Sequence, residues 1–188
     1  MAGCGSKKSG IVDSIKIVPY LKKDGVPTFL DSEIFFLWEK AVSEKAMDYM
    51  FLDRKTVSPQ FFLEYIQGFD INFFVVFADK EMVAFILMTN ILYGKAELHF
   101  FSYNNCQREK ALEVSRYCLK YLINIKLTES TYLYDVIIGI TPVKNVFACI
   151  LSKKAGMKVV GRIPKYLYNI KTKQQEDVMY QYYSRGLL

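Results

Sequence analysis

The chain has 188 residues, enough for one domain with a sizeable core. Hydrophobic residues make up 52% and charged ones 23%, which excludes a disordered chain. The net charge is +6, and residues 107–173 carry 13 basic against 4 acidic side chains, so one half of the chain is built to meet a polyanion: a nucleic acid, a phosphorylated cofactor or an anionic membrane surface.

Residues 1–10, polar and rich in Gly, Ser and Lys, are expected to be a flexible tail without a secretory signal, and residues 11–188 a single domain. Residues 14–20 (SIKIVPY) alternate polar and apolar as a strand does. Ile34, Phe35, Leu37, Trp38, Ala41 and Val42 then recur at helical spacing after Asp31-Ser32, which can cap the helix. Ser58-Pro59 reads as a second helix start, with Phe62, Tyr65 and Ile66 on one face and Gly68 at its end. Strands are expected over 72–78, 81–90 and 95–103, joined by turns at Asp79-Lys80 and Tyr93-Gly94. A helix from Cys106 to Ile123 follows, facing inward with Ala111, Ser115, Cys118, Leu119, Leu122 and Ile123. Residues 134–140 (YDVIIGI) are apolar on both faces, as in a parallel pair. Thr141-Pro142 then caps a helix to Lys154, with Gly156 at its C′ position, before strands over 157–163 and 178–184.

The order β-α-α-β-β-β-α-β-α-β-β predicts an α+β fold: a central mixed, mostly antiparallel sheet with flanking helices. Strand 95–103, its helix and strand 134–140 form a right-handed crossover. Ligands in such sheets favour the crevice beyond the carboxyl ends of the strands, which directs attention to the segment after Tyr103. The longest apolar run, residues 82–88, falls well short of the 18 or more residues of a membrane span, so no membrane span is expected. Cys4, Cys106, Cys118 and Cys149 are widely spaced, against a zinc knuckle or a disulfide framework. With His99 the single histidine, no metal site is expected, and a reducing cytoplasm is the expected location.

The segment Asn145-Val-Phe-Ala148-Cys-Ile-Leu151-Ser-Lys-Lys154-Ala-Gly156-Met157 is similar to the N-x-x-A-x-x-L-Y-x-K-x-G-F helix of the GNAT superfamily of acyl-CoA-dependent N-acyltransferases. Residues 96–103 (AELHFFSY) resemble that family's central strand, which splays from its neighbour so that pantetheine can bond to free backbone. The likeness implies Phe101, Ser102 and Tyr103 as cofactor contacts. It places Gln107-Arg108-Glu109-Lys110-Ala111 where the family carries its pyrophosphate loop, a helix start whose amides and dipole receive phosphate. No glycine survives there, and Arg108 and Lys110 are expected to supply the charge directly. Asn145 and Lys154 complete the expected cofactor set. Ser152 stands where many members carry the tyrosine that protonates the departing thiolate, leaving Tyr103 or Tyr117 as alternatives.

The resemblance implies an N-acetyltransferase that moves acetyl from acetyl-CoA to a primary amine, of a small molecule or a peptide, by direct attack in a ternary complex. Glu97 is expected as the base, with burial among Phe74, Phe100 and Phe101 raising its carboxyl, and His99 as relay or orienting group on the same strand face. The acids Glu33, Glu39, Asp48 and Asp53 point to a cationic acceptor held by the two N-terminal helices. Two other readings stand beside this one. The first is a non-catalytic GNAT-like module that binds acyl-CoA or a macromolecule. The second is a basic nucleic-acid binder whose tyrosines stack on bases. A homodimer is left open.

Overall fold

The computed structural model describes residues 14–44, 52, 58–106 and 108–187, without the side chains of Arg108 and Leu187. The expected tail, Cys4, Asp48, Asp53 and Gln107 lie outside the described residues. The elements are β1 Ile15–Pro19, β2 Lys22–Lys23, β3 Val26–Pro27, α1 Asp31–Ser43, α2 Pro59–Ile66, β4 Asn72–Ala78, β5 Glu81–Leu92, β6 Lys95–Ser102, α3 Arg108–Ile123, β7 Val136–Pro142, α4 Val146–Ala155, β8 Lys158–Asn169 and β9 Gln174–Ser184. Beyond the expected order there is one addition, the hairpin β2–β3. It turns on Asp24 and Gly25 at φ of 51° and 82°, the paired positive angles of a tight hairpin turn.

Seven strands form one sheet in the order β1-β4-β5-β6-β7-β9-β8. Every neighbouring pair is antiparallel except β6 with β7, which is parallel, as the crossover through α3 requires. The fold is therefore α+β, with a mostly antiparallel sheet and helices on both faces.

Several boundaries differ from expectation: β5 runs to Leu92 rather than residue 90, α3 begins at Arg108 rather than Cys106, and β7 covers 136–142 rather than 134–140. Helix α1 begins at Asp31 itself, and Glu33 rather than Asp31 or Ser32 closes its start, its Oε2 accepting from the Leu30 amide at 2.7 Å. Thr141 and Pro142 belong to β7, not to the helix start; α4 is capped by Asn145, whose Oδ1 accepts from the Ala148 amide at 3.1 Å. Strands β8 and β9 also run further toward their shared tip than expected, because bulges at Val159/Gly161 and Ile163/Leu167 let β8 continue past Pro164. At α2 the expected Ser58-Pro59 start holds, with Ser58 Oγ accepting from the Phe61 amide at 3.0 Å.

Strand periodicity divides the core into two faces. On one, Ile34, Leu37 and Trp38 of α1 and Phe62, Leu63 and Ile66 of α2 cover Phe73, Val75, Phe85, Leu87, Phe101 and Tyr103. Phe62, Phe73 and Phe85 meet one another at 5.7–5.8 Å, in edge-to-face or tilted pairs that add about 0.5–1.5 kcal/mol each beyond area burial. On the other face, Ala111, Val114, Cys118, Leu119 and Leu122 of α3 and Leu151 and Ala155 of α4 cover Val76, Ile86, Met88, Ala96, Ile137 and Tyr183. Arg116 ties α3 to α4 by donating to the Lys154 carbonyl at 3.1 Å.

Candidate active site

The site forms where the sheet opens. The β6–β7 ladder holds for three pairs, Lys95 with Val136, Ala96 with Ile137 and Glu97 with Ile138, and ends there. Beyond it β6 stays bonded to β5 as far as Ser102, and β7 to β9 as far as Pro142. Each strand follows its outer neighbour, so the two diverge and a cleft of about 510 Å³ opens between them.

Because side chains alternate along both strands, this cleft passes through the sheet. Leu98, Phe100 and Ser102 line it on the side of α3 and α4, together with Ser115, Cys118, Leu119, Ala148, Leu151 and Ser152. His99, Phe101, Tyr103 and Ile140 line it on the side of α1 and α2. Gly139 marks the vertex, where a Cβ would meet Cε, the flexible tip of Met157, at 2.9 Å, so a larger residue there makes Met157 shift.

Of the sequence-derived residues, His99, Phe101, Ser102, Tyr103, Asn145 and Ser152 come together in the wall of this cleft. Glu97 stops short of it, at the last closed pair of the seam and half-buried. Of the three phenylalanines expected around Glu97, Phe74 and Phe100 pack on the opposite face with α3, and Phe101 shares its face of β6. His99 Nε2 lies 3.0 Å from Thr89 Oγ1 on β5. Thr89 escaped sequence reasoning, although it was legible as the first polar residue after the apolar run 82–88.

The expected phosphate-binding turn is built differently from expectation. Lys110 is drawn to Asp79 in the β4–β5 turn, Nζ to Oδ2 3.3 Å, and Ala111 is fully buried in the core. Glu109 is exposed in the first turn of α3, and Lys154 is exposed at the end of α4. For Arg108 the structure describes only the backbone, as the first residue of α3.

The candidate acids differ in what their hydrogens do. Ser152 Oγ donates back into its own helix, to the Ala148 carbonyl at 2.8 Å. Tyr103 donates to the Leu37 carbonyl at 3.0 Å, and burial, with Glu44 nearby, holds its phenol far above the ordinary range. Tyr117 is exposed on α3, outside the cleft wall. Cys106 and Cys118 line the cleft as thiols. Burial pushes Cys106 up to about 11 against the pull of Lys110, and it raises Cys118 as well. Among the described residues no cluster of three or more His, Cys, Asp or Glu could hold a metal ion. Nor, among them, is any helix long and apolar enough to cross a membrane.

The fold recurs in solved structures. Spermidine N-acetyltransferase from Vibrio cholerae, in complex with CoA and spermine, matches 92% of this chain with 96% of its own, at a TM-score of 0.69 and 17% identity. The chain has the GNAT fold. A second GNAT-fold neighbour, an N-acetyltransferase from Staphylococcus aureus Mu50, matches 91% of this chain with 97% of its own, at 0.62 and 13% identity. A chimera of the Vibrio cholerae enzyme with hSSAT gives 0.66 at 16% identity, over 92% and 96%. No family model matches the sequence, and no curated protein does.

Proposed function

We propose that the protein is an N-acetyltransferase that binds acetyl-CoA in the splayed seam and transfers its acetyl group to a primary amine. The observation that carries this reading is the cleft through the sheet. A thioester entering on the α3/α4 side meets β6 backbone that has left the ladder with β7. An amine entering on the α1/α2 side meets His99. Two reactants held on either side of one opening need no covalent enzyme intermediate, and holding them in line supplies much of the rate.

A free amine must form before attack, because an alkyl ammonium is almost fully protonated at neutral pH. His99 faces the cleft and takes that proton, with Glu97 behind it on the same strand face. Backbone donors of β6 then meet the oxyanion as it develops. Acids on α1 (Glu33, Glu39) favour a cationic acceptor, and spermine is one such amine in the complex described above.

Calorimetry with acetyl-CoA, followed by a thiol-release assay with spermidine and with a peptide amine, tests the proposal. Heat on binding and acetyl-CoA-dependent thiol release with either amine are the expected results. No heat at millimolar acetyl-CoA overturns the cofactor reading. The Ser152 hydroxyl, already committed to its own helix, favours a second reading in which acyl-CoA binds without transfer. Heat without thiol release from any amine would support that alternative.

A further inference from the structure

Positive charge is not spread evenly over the basic half of the chain. Residues 158–173, which form β8 and the turn after it, carry Lys158, Arg162, Lys165, Lys171 and Lys173 and no acid. The two acids that follow on β9 are already engaged. Glu176 accepts from Asn169 at 2.8 Å and pairs with Lys144 at 3.4 Å. Asp177 pairs with Arg162 and accepts from the Lys165 amide at 2.8 Å. None of these residues lines the cleft, so a cofactor held there leaves this field unmatched.

The strand that carries this charge is an edge. β8 stands at the end of the sheet, bonded to β9 on one side. Beyond Pro142, where β7 stops, β8 and β9 run on as a two-stranded arm as far as Asn169 opposite Gln174. The turn of the arm is tied down, since the Ile170 amide donates to the Leu52 carbonyl at 2.8 Å. An open edge invites a further strand, but a peptide adding there needs an unbroken row of N–H and C=O groups. Bulges at Val159/Gly161 and Ile163/Leu167 break that row, Pro164 has no donor, and Lys165 turns the backbone at φ of 54°. The arm instead offers two rings two residues apart among its lysines, Tyr166 at 49% and Tyr168 at 51% exposed.

We propose that the β8–β9 arm binds single-stranded nucleic acid, with Lys158, Lys165 and Lys173 meeting phosphates and Tyr166 and Tyr168 stacking on unpaired bases. All five side chains are exposed. Charge complementarity selects a polyanion, the blunted edge disfavours an acidic peptide strand, and the rings select among polyanions. Every base has a face on which an aromatic ring can lie, and a single strand leaves those faces open. A duplex hides them in its own stack, so it would meet the lysines and leave both tyrosines idle. The site stands apart from the proposed acetyl transfer and shares no residue with it.

Fluorescence anisotropy of the full chain with labelled oligothymidylate and oligouridylate tests this, at salt from about 50 to 200 mM. Binding of either strand, weakening as salt rises, is the expected result, and the tighter of the two names the sugar. Tyr166→Ala combined with Tyr168→Ala should weaken binding by about tenfold or more with the salt slope unchanged. Phenylalanine at both positions keeps the rings and should keep the affinity. Lys158→Gln combined with Lys173→Gln should lower the salt slope by about 0.7 for each lysine removed. These side chains lie on the surface, so the melting temperatures should hold. No binding of either strand at low salt overturns the proposal. A duplex or a polyglutamate peptide bound as tightly as the single strand overturns it too, as does a double alanine variant with undiminished affinity. Displacement of the strand by excess CoA would put it in the cleft and overturn the assignment to the arm.

Discussion

Along the same two strands the chain does two different things. At residues 95–97 and 136–138, β6 and β7 are bonded as an ordinary parallel pair; a residue further on they have separated. Composition does not decide the matter, since both stretches mix apolar and polar residues, Lys95 and Glu97 in the closed one and His99, Ser102 and Thr141 in the open one. The difference lies in what each strand is bonded to on its other side. Through Ser102, β6 keeps its antiparallel ladder with β5, and through Pro142, β7 keeps its ladder with β9. Parallel pairing is slightly weaker per residue than antiparallel pairing. When twist pulls the two outer ladders apart, the inner parallel one yields. A binding cleft thus arises at the weakest join in the sheet.

The largest expected effect falls on the open half. His99→Gln should lower kcat/KM by about 10²-fold or more, the range of a lost general base, and should flatten the acidic limb of the pH–rate profile. Gly139→Val should close the vertex. Its side chain runs into Met157, with a cost of roughly 1–3 kcal/mol in chemical denaturation and weaker acetyl-CoA binding by calorimetry. Adding Met157→Ala should make the double variant less destabilised than the sum of the two singles, and strict additivity would deny the contact.

A pH series probes the packing around the open end. Cys106 is held up to about 11 by burial, while an unfolded thiol ionises near its ordinary 9.0. Between those values the folded state binds the extra proton, so stability falls as pH rises. Thermal melts from pH 7 to 10.5 should show that decline, and Cys106→Ala should reduce its slope. Tyr103→Phe removes the donor to the Leu37 carbonyl and should cost about 1 kcal/mol or less, because that carbonyl belongs to a helix and keeps helical hydrogen bonding. The smallest effect is expected at Asp79→Asn. Freeing Lys110 from a half-exposed pair should change stability by about 0–1 kcal/mol and tighten acetyl-CoA in a salt-sensitive way, by calorimetry at two ionic strengths.

Element order was legible in the residues because periodicity and turn chemistry agree throughout: Ser58-Pro59 starts a helix, Tyr93-Gly94 makes a turn and Gly156 ends a helix, at φ of 119°. The misreadings have physical causes. Thr141-Pro142 carries a helix-start signal, but pairing with Val178 and Met179 keeps both in β7, and Asn145, three residues later, does the capping. The strand expected over 157–163 runs on through Pro164 to Asn169, because on an edge strand a proline and a bulge are tolerated. His99 and Ser102 could be placed beside the opening because strand alternation is a local rule. The capture of Lys110 by Asp79 and the bond from Thr89 to His99 join residues far apart or on different strands, and no local pattern announces them.

The three-pair seam also sets where the molecule gives way. Each half of the sheet, β1-β4-β5-β6 and β7-β9-β8, is antiparallel throughout. The parallel join between them, residues 95–97 with 136–138, is the shortest ladder of the seven-stranded sheet and is expected to open first in the native state. Amide exchange at residues 136–138 reads that opening directly, and a ligand that grips both banks of the cleft slows it.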